Sequence, residues 1–234
     1  MQLLRKKTQI NKLAGYRSLD LGNKIYQIKT LRLAKGLSLR HPKILELGCA
    51  DGSFAELLGK ELRGKVWGVE IAKDNILLAK AKGVNAVVVD LGNKFPYDNN
   101  QFDLVVSLEV IEHVFDTDNF LRETRRVLKK GGYLILSTPN LASLQNRIRL
   151  LLGLYPRYLS YNANDGHIFL YTLPVLGEHL KKYGFEIINA TSPNFLNPFI
   201  TKSWLPDFLK VFSMWLGDKL PSLGSHLLVV ARKI

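Results

Sequence analysis

A single cysteine, Cys49, rules out an internal disulfide in this 234-residue chain and fits a reducing compartment. Long apolar runs are missing too: none reaches the roughly 18 uncharged residues of a membrane span. The first residues lack the apolar core of a secretory leader, so a cytoplasmic protein is expected. Acid is scarce in two places. Residues 1–43 hold eleven Lys and Arg against one acid, Asp20, so most of the net charge of +13 lies there. Leu141–Tyr161 carries Arg147, Arg149 and Arg157 and no acid at all. A basic arm of this kind suits nucleic acid, an anionic membrane surface or a phosphate-bearing substrate, and equally a solvated helix packed on its domain. Internal repeats and low-complexity segments are absent, which excludes a solenoid or a disordered chain.

What remains is the composition of a globular protein, 47% hydrophobic and long enough to bury a substantial core as one α/β domain. Residues 20–39 read as a helix, with Leu21, Ile25, Ile28, Leu31 and Leu33 roughly on one face, lying against the cleft of the domain that follows. From Lys43 strand and helix alternate: strands over 43–47, 65–70, 85–89, 102–107, 133–137 and 185–190, helices over 53–58, 74–81, 117–128 and 174–183. Ser53 and Asp74 are expected to cap their helices, and Gly131-Gly132 to turn the chain into the fifth strand. This rhythm predicts a doubly wound, mostly parallel sheet, with a basic helical arm over 1–42 and the domain over 43–234. Residues 141–165 and 191–224 interrupt the rhythm as insertions on the acceptor side. In the second, Trp204, Phe208, Phe212, Met214 and Trp215 are expected to pack as core or lid; exposed instead, they would favour a lipid-like acceptor.

The first strand empties through Gly48-Cys49-Ala50-Asp51-Gly52 into a helix. That arrangement turns backbone N–H groups and a helix N-terminus towards the carboxyl edge of the sheet, where nucleotide-like ligands bind. The spacing is not the Gly-x-Gly-x-x-Gly of dinucleotide loops. It resembles motif I of the class I S-adenosylmethionine (SAM) dependent methyltransferases, acid-x-Gly-x-Gly-x-Gly, with Glu46 as the acid and Ala50 in place of the middle glycine. Cys49 reads as a small loop filler rather than a reactive thiol. The resemblance implies that Glu70, ending the second strand, accepts hydrogen bonds from ribose hydroxyls, with Ile71 beside it. It implies that Asp90, ending the third strand, meets the adenine amine while Leu91 helps hold the ring, and that Ser107 and Leu108 complete the cofactor site. It also implies a seven-stranded sheet whose last strand inserts antiparallel beside the sixth.

Ser107-Leu-Glu-Val-Ile-Glu-His-Val114 is similar to the Glu-Val-x-Glu-His segment of the ubiquinone-biosynthesis O-methyltransferases, and Lys129–Asn140 to the same family's glycine turn and fifth strand. Methyl transfer is an in-line displacement that needs the acceptor aligned and often deprotonated. Glu109, Glu112 and His113 lie at helical spacing after the fourth strand, and His167 is placed to join them. These four are the candidate catalytic residues. The set is similar to the metal cluster of small-RNA terminal 2′-O-methyltransferases and admits Mg²⁺, Mn²⁺ or Zn²⁺; the preferred reading is metal-free, with His113 or His167 as general base or acceptor-orienting group. His41, His179 and His226 are given no role.

The leading expectation is therefore a SAM-dependent methyltransferase, O-directed, acting on a small molecule, a glycan precursor or a lipid-like acceptor, and cytoplasmic or peripheral at a membrane. No Asn/Asp-Pro-Pro-aromatic motif of the amino-methylating nucleic-acid enzymes is present. The alternatives are an RNA 2′-O-methyltransferase, supported by the basic arm, and a non-catalytic SAM-binding protein on the same scaffold.

Overall fold

The computed structural model describes residues 21–158, 166–195 and 206–234. Helix α1, Leu21–Gly36, is the second half of the expected arm; residues 1–20 of that arm, and residues 159–165 and 196–205 of the two insertions with Trp204, lie outside the described residues. The chain continues through β1 (Lys43–Leu47), α2 (Ser53–Leu62), β2 (Lys65–Glu70), α3 (Lys73–Ala81), β3 (Asn85–Val88) and β4 (Phe102–Leu108). After a 3₁₀ turn at Ile111–His113 come α4 (Thr117–Val127), β5 (Leu128–Pro139), α5 (Leu144–Leu151), α6 (Leu173–Lys182), β6 (Phe185–Thr191), α7 (Asp207–Lys219) and β7 (His226–Lys233).

The seven strands form one sheet in the order β3-β2-β1-β4-β5-β7-β6. β1 to β5 pair in parallel, and β7 runs antiparallel between β5 and β6, as expected. Strand alternation divides the core into two apolar layers. Leu45, Leu47 and Val105 join Phe102, Phe120, Leu121 and Leu176 on one face. Ile44, Leu104 and Val106 join Phe54, Leu58, Ala79 and Leu228 on the other. Each Leu or Phe so buried stabilises by about 1.5–3 kcal/mol.

Five local expectations fail. Gly52, not Ser53, is the cap of α2; it has φ 76°, and the side chain of Asp51 accepts from the Ser53 N–H at 3.1 Å and from the Ser53 hydroxyl at 2.8 Å. Asp74 makes no cap either, because α3 starts one residue earlier after Ala72. There Glu70 takes the part of a cap, its Oε1 accepting from the N–H groups of Ile71 at 2.8 Å and Ala72 at 3.0 Å. β5 begins at Leu128, directly after α4, and Gly131-Gly132 form a bulge within it where the register to β4 slips between Phe102 and Leu104. The third strand ends at Val88, so Asp90 lies two residues beyond it, exposed, with Oδ1 accepting from the Gly92 N–H at 2.8 Å. The aromatic stripe of α7 is not core: Phe208, Phe212 and Trp215 are exposed.

A buried polar contact ties the arm to the domain, beside the exposed Lys35–Glu61 pair. The Lys29 ammonium is buried and donates to Ser192 O at 2.7 Å, Met214 O at 3.0 Å and Asp218 Oδ1 at 2.7 Å. Burial lowers its pKa and Asp218 opposes that. The contact holds α1 against the end of β6 and against α7, which brings Tyr26 of α1 to the rim of the cleft.

Candidate active site

Because β1, β2, β4 and β5 are parallel, their carboxyl ends share one rim. The loop Gly48–Gly52 leaves β1 there. Its first turn is held by the N–H groups of Gly48 and Cys49, which both donate to Val69 O at 2.8 and 3.0 Å. Gly48 has φ 75°, and a Cβ built on it would come within 2.5 Å of the Val110 side chain. Ala50 follows at φ 44°. Its N–H donates to Glu70 Oε2 at 3.0 Å, so the carboxylate of β2 is anchored from the first loop as well as from α3. The Cys49 thiol is buried, and burial pushes its pKa up to about 12, which makes it the inert filler expected. Asp51 pairs with the Lys82 ammonium, which holds its carboxyl below the usual range.

The left-handed conformation costs a non-glycine residue roughly 1–2 kcal/mol. Ala50→Gly is therefore expected to stabilise the protein by about 0.5–1 kcal/mol after the extra unfolded-state entropy of glycine is subtracted. The denaturant midpoint measures this, and a lower midpoint would show that Ala50 carries no strain.

Glu46 lies beneath the loop, almost fully buried, with Oε2 lacking a hydrogen-bond partner among the described residues. Burial raises its pKa to about 8, tempered by the Ala55 amide, so it is neutral at pH 7. A carboxyl whose folded pKa exceeds its unfolded value of about 4.3 stabilises the fold at low pH and loses that contribution as pH rises. Stability should decline between about pH 4.3 and 8, and Glu46→Gln should flatten the decline by more than about 1.4 kcal/mol, the equivalent of one pKa unit. Urea unfolding at pH 5 and pH 9 reads the difference; parallel slopes for both proteins would contradict it.

At the end of β4, Ser107, expected in the cofactor site, is buried and Leu108 is half-buried. Glu109 has φ 56°; it stays close to Glu112, but its carboxylate is held by other partners and does not join the converging atoms of Glu112, His113 and His167. Its Oε1 accepts from the Ser137 hydroxyl at 2.6 Å, and its Oε2 lies 3.4 Å from His226 Nε2. Burial, with Glu112 nearby, raises its pKa. Glu112 is fully buried on the 3₁₀ turn, where no donor among the described residues meets its carboxylate in good geometry, although the Thr138 hydroxyl and its own backbone N–H are close enough to lower its pKa. Burial lifts its pKa to about 7. Its backbone carbonyl accepts from Ile168 N at 2.7 Å, which docks the 166–169 segment and brings His167 over the turn. The His113 and His167 rings stand 4.7 Å apart, and ligating atoms of Glu112, His113 and His167 lie within 4.8 Å of one another.

His226, given no role from the sequence, also stands here. His226 opens β7 opposite Pro139, buried, with Ser225 Oγ 2.9 Å from its Nδ1 and burial driving its pKa down to about 3. It sits between the rings of Tyr26 at 5.0 Å and Tyr158 at 4.8 Å. No local pattern marks His226; only the antiparallel insertion of β7 beside β5 brings it to the rim. His179, by contrast, pairs with Asp118 and Tyr171 between α4 and α6 and is structural. An open hollow of about 680 Å³ between Trp67, Val84, Asn85 and Tyr97 opens at the amino end of β3 and contains none of these residues.

A family model described as a methyltransferase domain matches residues 21–190. The chain belongs to this family. The methyltransferase is 26% identical over 184 residues, 69% of its length and 76% of the relative's, to a ubiquinone biosynthesis O-methyltransferase of Pelagibacter ubique. It is 33% identical over 132 residues to the mitochondrial protein of the same name from Dictyostelium discoideum, a match spanning half of this chain and 41% of that one. Its fold is that of a Thermotoga maritima structure described as a SAM-dependent methyltransferase and possible histamine N-methyltransferase, with TM-score 0.65, 22% identity, and 95% and 96% of the two chains covered. The protein is thus a SAM-dependent enzyme rather than a non-catalytic scaffold.

The rim suits that cofactor. The Glu70 carboxylate is fixed by the N–H groups of Ala50, Ile71 and Ala72, and its oxygens retain lone pairs that can accept further hydrogen bonds. Ile71 is 66% exposed beside it, an apolar surface for a ring to cover, and Asp90 and Leu91 stand at the next loop. SAM supplies a methyl on a sulfonium that leaves by in-line displacement; Glu112, His113 and His167, whose polar atoms lie within 4.8 Å of one another, are groups of the kind able to accept a proton.

Proposed function

We propose that the methyltransferase directs the methyl to an oxygen of a small-molecule, glycan-precursor or lipid-like acceptor. The observation that carries this reading is the buried Glu112 beside His113 and His167 at the end of β4. A hydroxyl is a poor nucleophile until its proton is removed, and that proton transfer is what carboxylate and imidazole groups accelerate. The names of the Pelagibacter and Dictyostelium relatives agree with an oxygen acceptor. Exposed Ile148, Leu150 and Leu151 on α5 and Phe208, Phe212 and Trp215 on α7 favour an apolar acceptor among the three, and an enzyme peripheral to a membrane. The test is transfer of labelled methyl from SAM to a panel of a catechol, a polyprenylated phenol, a sugar and a primary amine. Label in the hydroxyl acceptors is expected, and label confined to the amine would refute the reading.

The excess of positive charge in residues 1–43 favours RNA 2′-O-methylation as a second reading. It requires RNA affinity that falls steeply between low and high salt. RNA binding indifferent to salt would remove it.

A further inference from the structure

A group of positive charges gathers at the opposite end of the sheet from the cofactor loop. A hollow of about 310 Å³ opens at the amino ends of β4 and β5, lined by Asn99, Asn100, Arg122, Arg125, Arg126 and Lys233. Four cations and two amides line it, and no carboxylate side chain does. Helix α4 presents three of the cations because residues 122, 125 and 126 stand at i, i+3 and i+4 and share a face. The last strand, antiparallel to β5, delivers Lys233 to the same end.

Like charges round one hollow repel, so what each cation meets decides the reading. Arg126 is fully engaged: its five N–H groups go to both oxygens of Glu123, to Phe95 O, to Tyr97 O and to Asn99 Oδ1, at 2.7–2.9 Å. Lys233 is buried and donates to Leu128 O at 2.5 Å and Asn100 Oδ1 at 2.9 Å, which pins its ammonium and leaves one of three donors over. Burial lowers its pKa, and Arg125 adds to that. Arg125 makes one hydrogen bond, from Nη2 to Ile234 O at 3.3 Å. Arg122 has no hydrogen-bond or ion-pair partner among the described residues. The acids of this neighbourhood are already taken, Glu123 by Arg126 and Asp103 by Lys129. Both asparagine oxygens accept from cations, so their amide N–H groups remain as donors too.

We infer that this hollow binds the terminal phosphate or diphosphate of a small molecule, held by Arg122, Arg125 and Lys233. Two guanidinium forks and an ammonium match a group that spreads a double negative charge over several oxygens, and the forks can grip it through paired hydrogen bonds. A single carboxylate would leave most of that positive charge unanswered. A phosphodiester offers one charge per group, so an RNA backbone is the poorer complement. The volume is at the lower end of the range for ligand pockets, which suits a phosphorylated body of sugar size. Because the hollow lies at the amino ends of the strands and the cofactor loop at their carboxyl ends, its occupant is not the methyl acceptor. The assignment therefore stands apart from the choice of acceptor atom.

The decisive measurement is calorimetric titration of the full-length protein with pyrophosphate at physiological ionic strength. One saturable site per chain is expected. Arg122→Ala should weaken it by about 10–100-fold, the loss of one charge-assisted contact, and Arg125→Ala should act likewise. Both side chains are exposed on the surface of α4, so the fold should survive, with unchanged SAM affinity as the control. Lys80→Ala, which removes an exposed lysine beside the other hollow, should leave pyrophosphate affinity as it was. Absence of saturable binding would overturn the assignment. An equal loss in Lys80→Ala and Arg122→Ala would overturn it too, as the general attraction of a basic surface. Single-stranded RNA that binds through Arg122 and Arg125 and resists displacement by pyrophosphate would give the hollow to nucleic acid instead.

Discussion

Gly52→Val is expected to weaken SAM binding by about a hundredfold while leaving a folded protein. Gly52 holds φ 76° at the start of α2, and a Cβ there would lie 2.7 Å from the Ala79 backbone of α3. A β-branched residue therefore meets backbone strain of roughly 1–2 kcal/mol and an overlap worth about 1–3 kcal/mol. Because Ala79 Cα cannot give way without moving α3, the loop must shift, and the loop carries the Ala50 N–H that anchors Glu70. A penalty of about 3 kcal/mol charged to the bound geometry is about a hundredfold in affinity. The same penalty lowers the melting temperature of a chain this long by about 6–12 °C, well short of unfolding at room temperature for a domain of ordinary stability. Calorimetry with SAM, alongside a thermal scan, separates the two effects. Wild-type affinity in the variant would show that the cofactor does not lie against this loop.

The contrast between Gly52 and Ala50 shows where sequence reading works and where it stops. A strand, a run of small residues and a helix placed the loop correctly, since those patterns are local and each follows from short-range sterics. The carboxyl-end position of Glu70 was legible for the same reason. The sign of φ at Ala50 was not, because an alanine neither demands nor forbids it; the Val69 carbonyl and the Glu70 carboxylate impose it across the sheet.

Residues brought in by distant segments were still less visible. His226 reaches Glu109 from the far end of the chain. Lys29 looks like one more solvated charge of a basic arm, yet it is buried against α7. The spacing of Glu109, Glu112 and His113 assumed a continuous helix, whereas the chain makes a left-handed step at Glu109 and then a 3₁₀ turn. That step sends one carboxylate towards β5 and β7 and keeps the other with the histidines. It gives the members of one motif different hydrogen-bond partners while leaving them neighbours.

That difference makes the second large expectation specific. His113→Ala and His167→Ala should each lower turnover with a hydroxyl acceptor by about 10²–10⁴-fold, the range for a lost proton-transfer group, while SAM affinity stays within about twofold because neither side chain touches the loop or Glu70. If the two imidazoles act with Glu112 on a single acceptor atom, the double variant should be scarcely slower than the worse single one, since groups that work as a unit are far from additive. Two independent roles would instead multiply the losses. The pair of rates decides this whether the unit works as a bound cation or as a base, because both require all members at once. A double variant slower than either single by the product of their factors would break the unit apart, and single variants with wild-type turnover would move the chemistry away from the end of β4, leaving His226 and Glu109 as the next pair to test.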